Sequence, residues 1–216
     1  SVSLDAQGKP AYAIETGAAW DRIAWTPELD FALDQADAVY FGTLGQRGPL
    51  SRETIRRALD LAKATGIPRV LDVNLRSPFF DAELIRDSVS RASILKLSDE
   101  ELEPVANACG VALSGDPSVT LASLRDLHSL DLVVMTRGAD GALLVTASET
   151  FDQPGIATEV RDTVGAGDSF TAALVTGLLR GDPLSEIATN ACQLAAFVCS
   201  QPGAVPELPN PTPLNS

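Results

Sequence analysis

Residues 132–136 read Leu-Val-Val-Met-Thr, a run that is apolar without interruption until its last position. A segment this short, with no polar residue alternating along it, is a strand covered on both faces, and such strands belong to sheets wrapped by helices. A short apolar run at 38–41 and largely apolar runs at 70–73 and 94–97, which carry Asp72 and Lys96, read as further strands, each followed by a stretch with helical spacing. After the first of them, Ile55, Ala58, Leu59 and Ala62 share one face, with Ser51 as the expected cap and Gly66 and Pro68 as the stop. Further helices are expected over 81–91, from 98 towards 110, over 121–127 and twice near the C-terminus. The last of these carries Ile187, Ala191, Leu194, Ala195 and Val198 as a stripe. Strands are also expected at 142–146 and 156–160. Alternation of this kind specifies an α/β fold with a mostly parallel sheet covered on both faces. Residues 2–15 read as two short strands around a turn at 5–10, and 201–216 as a Pro-rich segment running extended over the surface.

A chain of 216 residues that is 45% hydrophobic can bury one sizeable core and needs no second full domain. Its formal charge of -13 argues against nucleic acid or an anionic membrane as partner. It leaves room for a small phosphate ligand, which a few local N–H groups and basic residues can bind. Cys109, Cys192 and Cys199 lack metal-ligand spacing and fall in apolar helical contexts, so they read as buried free thiols in a reducing compartment. His128 is the only histidine, which removes any His-based triad or His-cluster metal site. No stretch is long and apolar enough to span a bilayer and no signal peptide is visible, so a soluble, cytoplasmic protein is expected.

The chemistry concentrates in Asp162-Thr163-Val164-Gly165-Ala166-Gly167-Asp168-Ser169-Phe170. A small-residue turn leads into an apolar helical pattern of Phe170, Ala173, Leu174, Gly177 and Leu178. The first N–H groups of a helix lack partners and its dipole is positive there, so the turn attracts anions. Two glycines let the backbone approach a phosphate closely. Asp168 then stands as a carboxylate beside an anion hole, a pairing suited to phosphoryl transfer with a base for the acceptor hydroxyl. No Gly-x-x-x-x-Gly-Lys-Ser/Thr sequence is present, which excludes a P-loop. Taken as local structure alone, the same residues are a Gly-Ala-Gly turn whose aspartate complements a helix dipole.

The full string resembles the C-terminal signature of the ribokinase-like (PfkB-type) carbohydrate kinases. Three further segments resemble that family in the same order. Asp72-Val73-Asn74-Leu75-Arg76 is similar to its Asp-x-Asn-x-Arg strand end. Ser98-Asp99-Glu100-Glu101 is similar to its Asn-x-x-Glu region, with Ser98 in place of the usual Asn. Thr136-Arg137-Gly138-Ala139-Asp140-Gly141 is similar to its Thr-x-Gly-x-x-Gly segment. Residues 18–21 and 41–47 look most like bacterial fructokinases.

The resemblance implies a ribokinase-like three-layer α/β/α fold, with 1–20 as a partial β lid, 21–200 as the kinase domain and 201–216 as the Pro-rich end. It implies ATP and Mg²⁺ as cofactors, with Asp168 as base and also beside the substrate, and Gly165, Ala166 and Gly167 as the anion hole. Arg76 is implied as the phosphate-facing cation, with Thr136, Gly138, Gly141 and Asn190 along the nucleotide. Gln46 and Arg47 would reach the sugar. Glu101 would hold Mg²⁺, although Ser98 and Glu101 also form a capping box that needs no ligand. A potassium-like cation (K⁺) beside Asp162 and the 201–204 loop, and a homodimer through the lid strands, are implied by the resemblance alone. Fructose is the first acceptor expected. A 2-keto-3-deoxygluconate, ribose or nucleoside kinase is the second reading, and a non-catalytic binding or assembly module the third. Family members carry a further N-terminal segment with the first sheet strands, part of the lid and several sugar-binding residues. Ser1 is not an initiator methionine, so a longer natural chain is expected, and a sheet lacking those strands would expose an edge open to pairing.

Overall fold

The computed structural model describes residues 2–4, 10–12 and 14–208. β1 (Val2–Leu4) and β2 (Pro10–Tyr12) pair antiparallel, as the sequence predicts, with most of their turn outside the described residues. α1 (Pro27–Asp34) follows, started by Pro27 and by Thr26, whose hydroxyl accepts the Leu29 N–H at 3.3 Å. It buries only Leu33, so its pattern is too weak to announce a helix. The chain then alternates through β3 (Val39–Gly42), α2 (Pro49–Thr65), β4 (Arg69–Asp72), α3 (Ala82–Arg91), β5 (Ile94–Ser98), α4 (Asp99–Cys109), α5 (Pro117–His128) and β6 (Leu132–Thr136). β7 (Ala142–Thr146) and β8 (Thr150–Gln153) continue the sheet, and α6 (Ala166–Arg180) and α7 (Leu184–Cys199) complete the order.

The six strands lie in the order β3-β4-β5-β6-β7-β8, parallel through β6 and antiparallel thereafter. The period-2 alternation of a strand sends its residues to two different layers. Leu71, Leu95 and Val133 enter one core with Leu59 of α2, Val89 of α3, Val105 of α4 and Leu121 of α5. Val70, Ile94, Leu132 and Val134 enter the other, against Phe170 and Leu174 of α6 and Ile187 and Ala191 of α7. Each such large side chain contributes about 1.5–3 kcal/mol on burial. The ladder also levels the strand ends: Gly42 lies opposite Asp72, Asp72 opposite Lys96, and Ser98 opposite Thr136. Among the described residues no helix is long and apolar enough to cross a membrane.

Two local expectations are corrected. Residues 156–160 form no strand. The ladder runs earlier, through Thr150–Gln153, after a turn in which Thr146 Oγ1 accepts the N–H groups of Ser148 and Glu149. Pro154 has no N–H to continue it, and Gly155 is pressed against the Ala139 carbonyl, so the chain leaves the sheet there. Ser51 does not cap α2, whose N-cap is Gly48 with Pro49 first in the helix. Ser51 is buried one turn on, where its Oγ accepts the Ile23 N–H at 2.8 Å and donates to the Trp20 carbonyl at 2.7 Å.

Candidate active site

Ligands of open α/β sheets sit beyond the C-terminal strand ends, and several of the sequence-predicted residues lie there. Gly165 is the N-cap of α6 at φ 85, a left-handed conformation that favours glycine. A Cβ at Gly165 would also strike the Ala204 carbonyl, so this turn is packed against the 201–204 loop. The contact is reinforced by Asp162, whose carboxylate accepts the N–H groups of Val164 at 3.0 Å and Gly203 at 3.2 Å. Ser169 N–H begins the helical bonding to the Gly165 carbonyl at 2.9 Å. Among the described residues no acceptor pairs with the N–H of Gly167 or Asp168, and the Asp168 side chain is exposed beside them.

The loop after β4 is held by Glu101. Its Oε1 accepts the Leu75 N–H at 2.6 Å and its Oε2 the Ser98 N–H at 2.9 Å. One carboxylate thus ties the start of α4 to a loop in which Asn74 adopts φ 42 and which carries the half-buried Arg76. The reach of Glu101 back to Ser98 is the capping arrangement read from the sequence; the tie to Leu75 is not visible there. Among the described residues no group of three or more His, Cys, Asp or Glu gathers for a metal. A magnesium ion held chiefly by phosphate and water needs only one or two carboxylates, and Glu101, at the strand ends, fits that requirement.

A cavity of about 570 Å³ runs from the β6–β7 turn to the first turn of α6. Thr136, Gly138 and Gly141 line one end, and Thr163, Ala166 and Gly167 the other. Its apolar walls come from Ile156 and Val160 on one side and from Cys192, Ala195, Ala196 and Cys199 of α7 on the other. Apolar walls for a flat ring, running towards unpaired N–H groups for phosphates, suit a nucleotide. Burial raises the thiol pKa of Cys192, and burial together with the Asp162 charge raises that of Cys199, so both thiols of this wall are neutral near pH 7. A more open concavity of about 730 Å³ on α2 holds four arginines, but Arg56 pairs with Asp87, Arg91 with Asp60 and Asp87, and Arg57 stacks over Trp25.

Three residues expected at the site lie apart from the cavity. Asn190 is exposed on α7 and does not line the cavity; the residues of that helix that do are Cys192, Ala195, Ala196 and Cys199. Gln46 is fully buried, with its amide donating to the Gly42 carbonyl at 3.0 Å and to Ser88 Oγ at 2.9 Å. Arg47 pairs with Asp21 at 2.6 Å and lies over the Phe79 ring at 4.5 Å, with its side chain 7% exposed. Gln46 Oε1 and Arg47 Nη1 are buried without a hydrogen-bond partner among the described residues. The Arg47 hydrogen bond, ahead of its charge, holds the Asp21 carboxyl below the usual range. The two segments most like fructokinases are therefore partners in one ion pair.

Lys96 was not singled out by sequence reasoning, because one lysine at the end of an apolar strand carries no pattern. It is buried, and its Nζ donates to Asp72 Oδ2 at 2.7 Å. Thr171 of α6 donates to the same oxygen at 3.2 Å and the Tyr40 hydroxyl at 3.5 Å. Burial, then the charges of Asp72 and Asp168, push the Tyr40 phenol above its ordinary range.

Known proteins resemble the chain over most of its length. A model described as pfkB family carbohydrate kinase matches residues 11–211. The aminoimidazole riboside kinase of Salmonella typhimurium is 33% identical over 192 residues, 84% of this chain and 58% of that protein. A fructokinase of Rhizobium leguminosarum bv. trifolii is 30% identical over 176 residues, 79% and 52% of the two chains. Among solved structures, an uncharacterized sugar kinase from Pyrococcus horikoshii in complex with ATP aligns with a TM-score of 0.74 at 28% identity, covering 91% of this chain and 62% of that one. The chain spans a little over half the length of these curated relatives.

Proposed function

The chain belongs to the pfkB family of carbohydrate kinases, and from that premise we propose that its site transfers the γ-phosphoryl group of ATP to a sugar hydroxyl. The observation that carries this reading is the junction of one cavity with the unpaired N–H groups of the α6 turn, with Asp168 exposed beside them. The acceptor oxygen attacks the γ-phosphorus while its proton passes to the Asp168 carboxylate. The bond from the γ-phosphorus to the β–γ bridging oxygen breaks, and ADP leaves. Backbone N–H groups of the 165–168 turn, with those of Gly167 and Asp168 unpaired among the described residues and that of Ala166 already donating to the Thr163 carbonyl at 3.3 Å, offset charge on the moving phosphoryl together with the Arg76 cation. Thr136, Gly138 and Gly141 flank the nucleotide. Glu101 would help to hold magnesium, which would supply charge neutralisation at the phosphates. A potassium-like cation belongs to this reading at Asp162 and the 201–204 loop, as does a lid formed by residues 1–20 over a kinase body of 21–200.

Fructose, giving fructose 6-phosphate, is the acceptor proposed first, supported by the likeness of 18–21 and 41–47 to fructokinases and by the Rhizobium relative. Other relatives include an aminoimidazole riboside kinase and a 2-dehydro-3-deoxygalactonokinase, so the acceptor panel includes a nucleoside and a keto-deoxy sugar acid. The test is Asp168→Asn. Turnover is expected to fall by about 10²–10⁴-fold while nucleotide affinity, measured by calorimetry, is retained. Near-normal turnover in that variant would remove the kinase assignment.

A further inference from the structure

A buried ammonium is costly unless paired and hydrogen-bonded, and hydrophobic residues of equal volume commonly fill such space as well or better. Lys96, 5% exposed, is therefore a residue whose charge requires a reason. Its position supplies one. Lys96 Nζ is the atom nearest to a Cβ built on Gly167, at 3.8 Å, and no atom of Asp72 comes within 4 Å of that point. The positive end of the Lys96–Asp72 pair thus faces the anion-binding turn. The negative end is covered by the hydroxyls of Thr171 and Tyr40. The single hydroxyl proton of Thr171 is shared between Asp72 and the Gly167 carbonyl, whose oxygen lies at 2.9 Å, so this hydroxyl sits between the pair and the turn.

We propose that Lys96 is a positioning residue for phosphoryl transfer. Its ammonium places a fixed positive charge under the 165–167 backbone, which strengthens the hold of those N–H groups on the terminal phosphoryl. Its pair with Asp72 anchors Thr171, and so keeps the first turns of α6, with Asp168, level with the strand ends. The proposal rests on the kinase reading and deepens it: Lys96 serves the phosphoryl in flight, and the adenine and sugar ends do not depend on it.

The test compares Lys96→Met, Lys96→Arg and the double variant Lys96→Met/Asp72→Asn with the unmodified chain. Calorimetry is run with ADP and with a non-hydrolysable ATP analogue, and turnover is measured over the acceptor panel. Lys96→Met is expected to lose about tenfold in affinity for the triphosphate while ADP affinity stays within about twofold. Its kcat is expected to fall about 10–100-fold at unchanged sugar KM, less than the loss of a direct oxyanion donor. Lys96→Arg is expected to recover part of both. The double variant removes the unpaired carboxylate, so it is expected to regain the melting temperature lost by Lys96→Met but not the triphosphate affinity. If ADP and the triphosphate weaken equally, or if the double variant regains affinity together with stability, Lys96 is structural only and the proposal is overturned. If the unmodified chain phosphorylates no acceptor yet Lys96 still governs triphosphate against diphosphate binding, the kinase reading falls and the charge assignment stands. Turnover unaffected by Lys96→Met gives the reverse.

Discussion

At the residue scale, Gly165 shows how tightly backbone geometry and the site are joined. Its φ of 85 and the Ala204 carbonyl against it leave no room for a side chain. Gly165→Ala is expected to cost at least about 1–2 kcal/mol from the left-handed conformation alone, more if the 201–204 loop must retreat. A denaturant midpoint lowered together with nucleotide affinity is the expected result. An unchanged midpoint would show that the turn has slack. Glu101 makes a related point. The sequence marks it as a cap and the family resemblance implies a metal-side carboxylate, and the proposed metal role is compatible with the observed one because backbone amides orient the group without using all its lone pairs.

At the scale of elements, the instructive case is the wall of the cavity. The apolar residues at 156–160 read as a strand, and the small and thiol residues of α7 read as core, yet both serve one concave surface. Apolar character reports that a residue leaves water; it does not report whether protein or ligand covers it. The strand ends and the α6 turn were legible because their residues repeat with strand and helix periods and because Gly and Asp at a helix start have few substitutes. The burial of Gln46 and Arg47 was not legible, because their partners Ser88 and Asp21 come from distant segments, whereas Asn190 faces solvent on α7. The α7 wall gives its own prediction. Ala196→Leu projects extra volume into the cavity, so nucleotide affinity is expected to fall about tenfold or more with little change in melting temperature, read by calorimetry and thermal unfolding in parallel. Unaltered nucleotide binding would place the nucleotide elsewhere.

At the scale of the whole molecule, stability is shared by two cores on opposite sides of one sheet, and a single histidine gives it a measurable pH dependence. Burial lowers the pKa of His128 below 6.5, and its Nε2 is buried without a partner among the described residues. The unfolded chain therefore binds this proton first as pH falls, so the contribution is intact above about pH 6.5 and is lost below it. Urea midpoints are expected to be lower at pH 5.5 than at 7.5, with the difference reduced in His128→Leu. A difference that survives that substitution would assign the effect to another group.

The six-stranded sheet runs in the order in which its strands are written along the chain. During synthesis each new strand meets a neighbour that has already emerged, so the ladder can grow vectorially with short loop closures. The catalytic end cannot. Asp72 waits for Thr171, 99 residues later, before its carboxylate is enclosed. A nascent chain thus carries a nearly finished sheet whose buried charge pair is still open to solvent, and competence for phosphate arrives as a late step, when α6 docks.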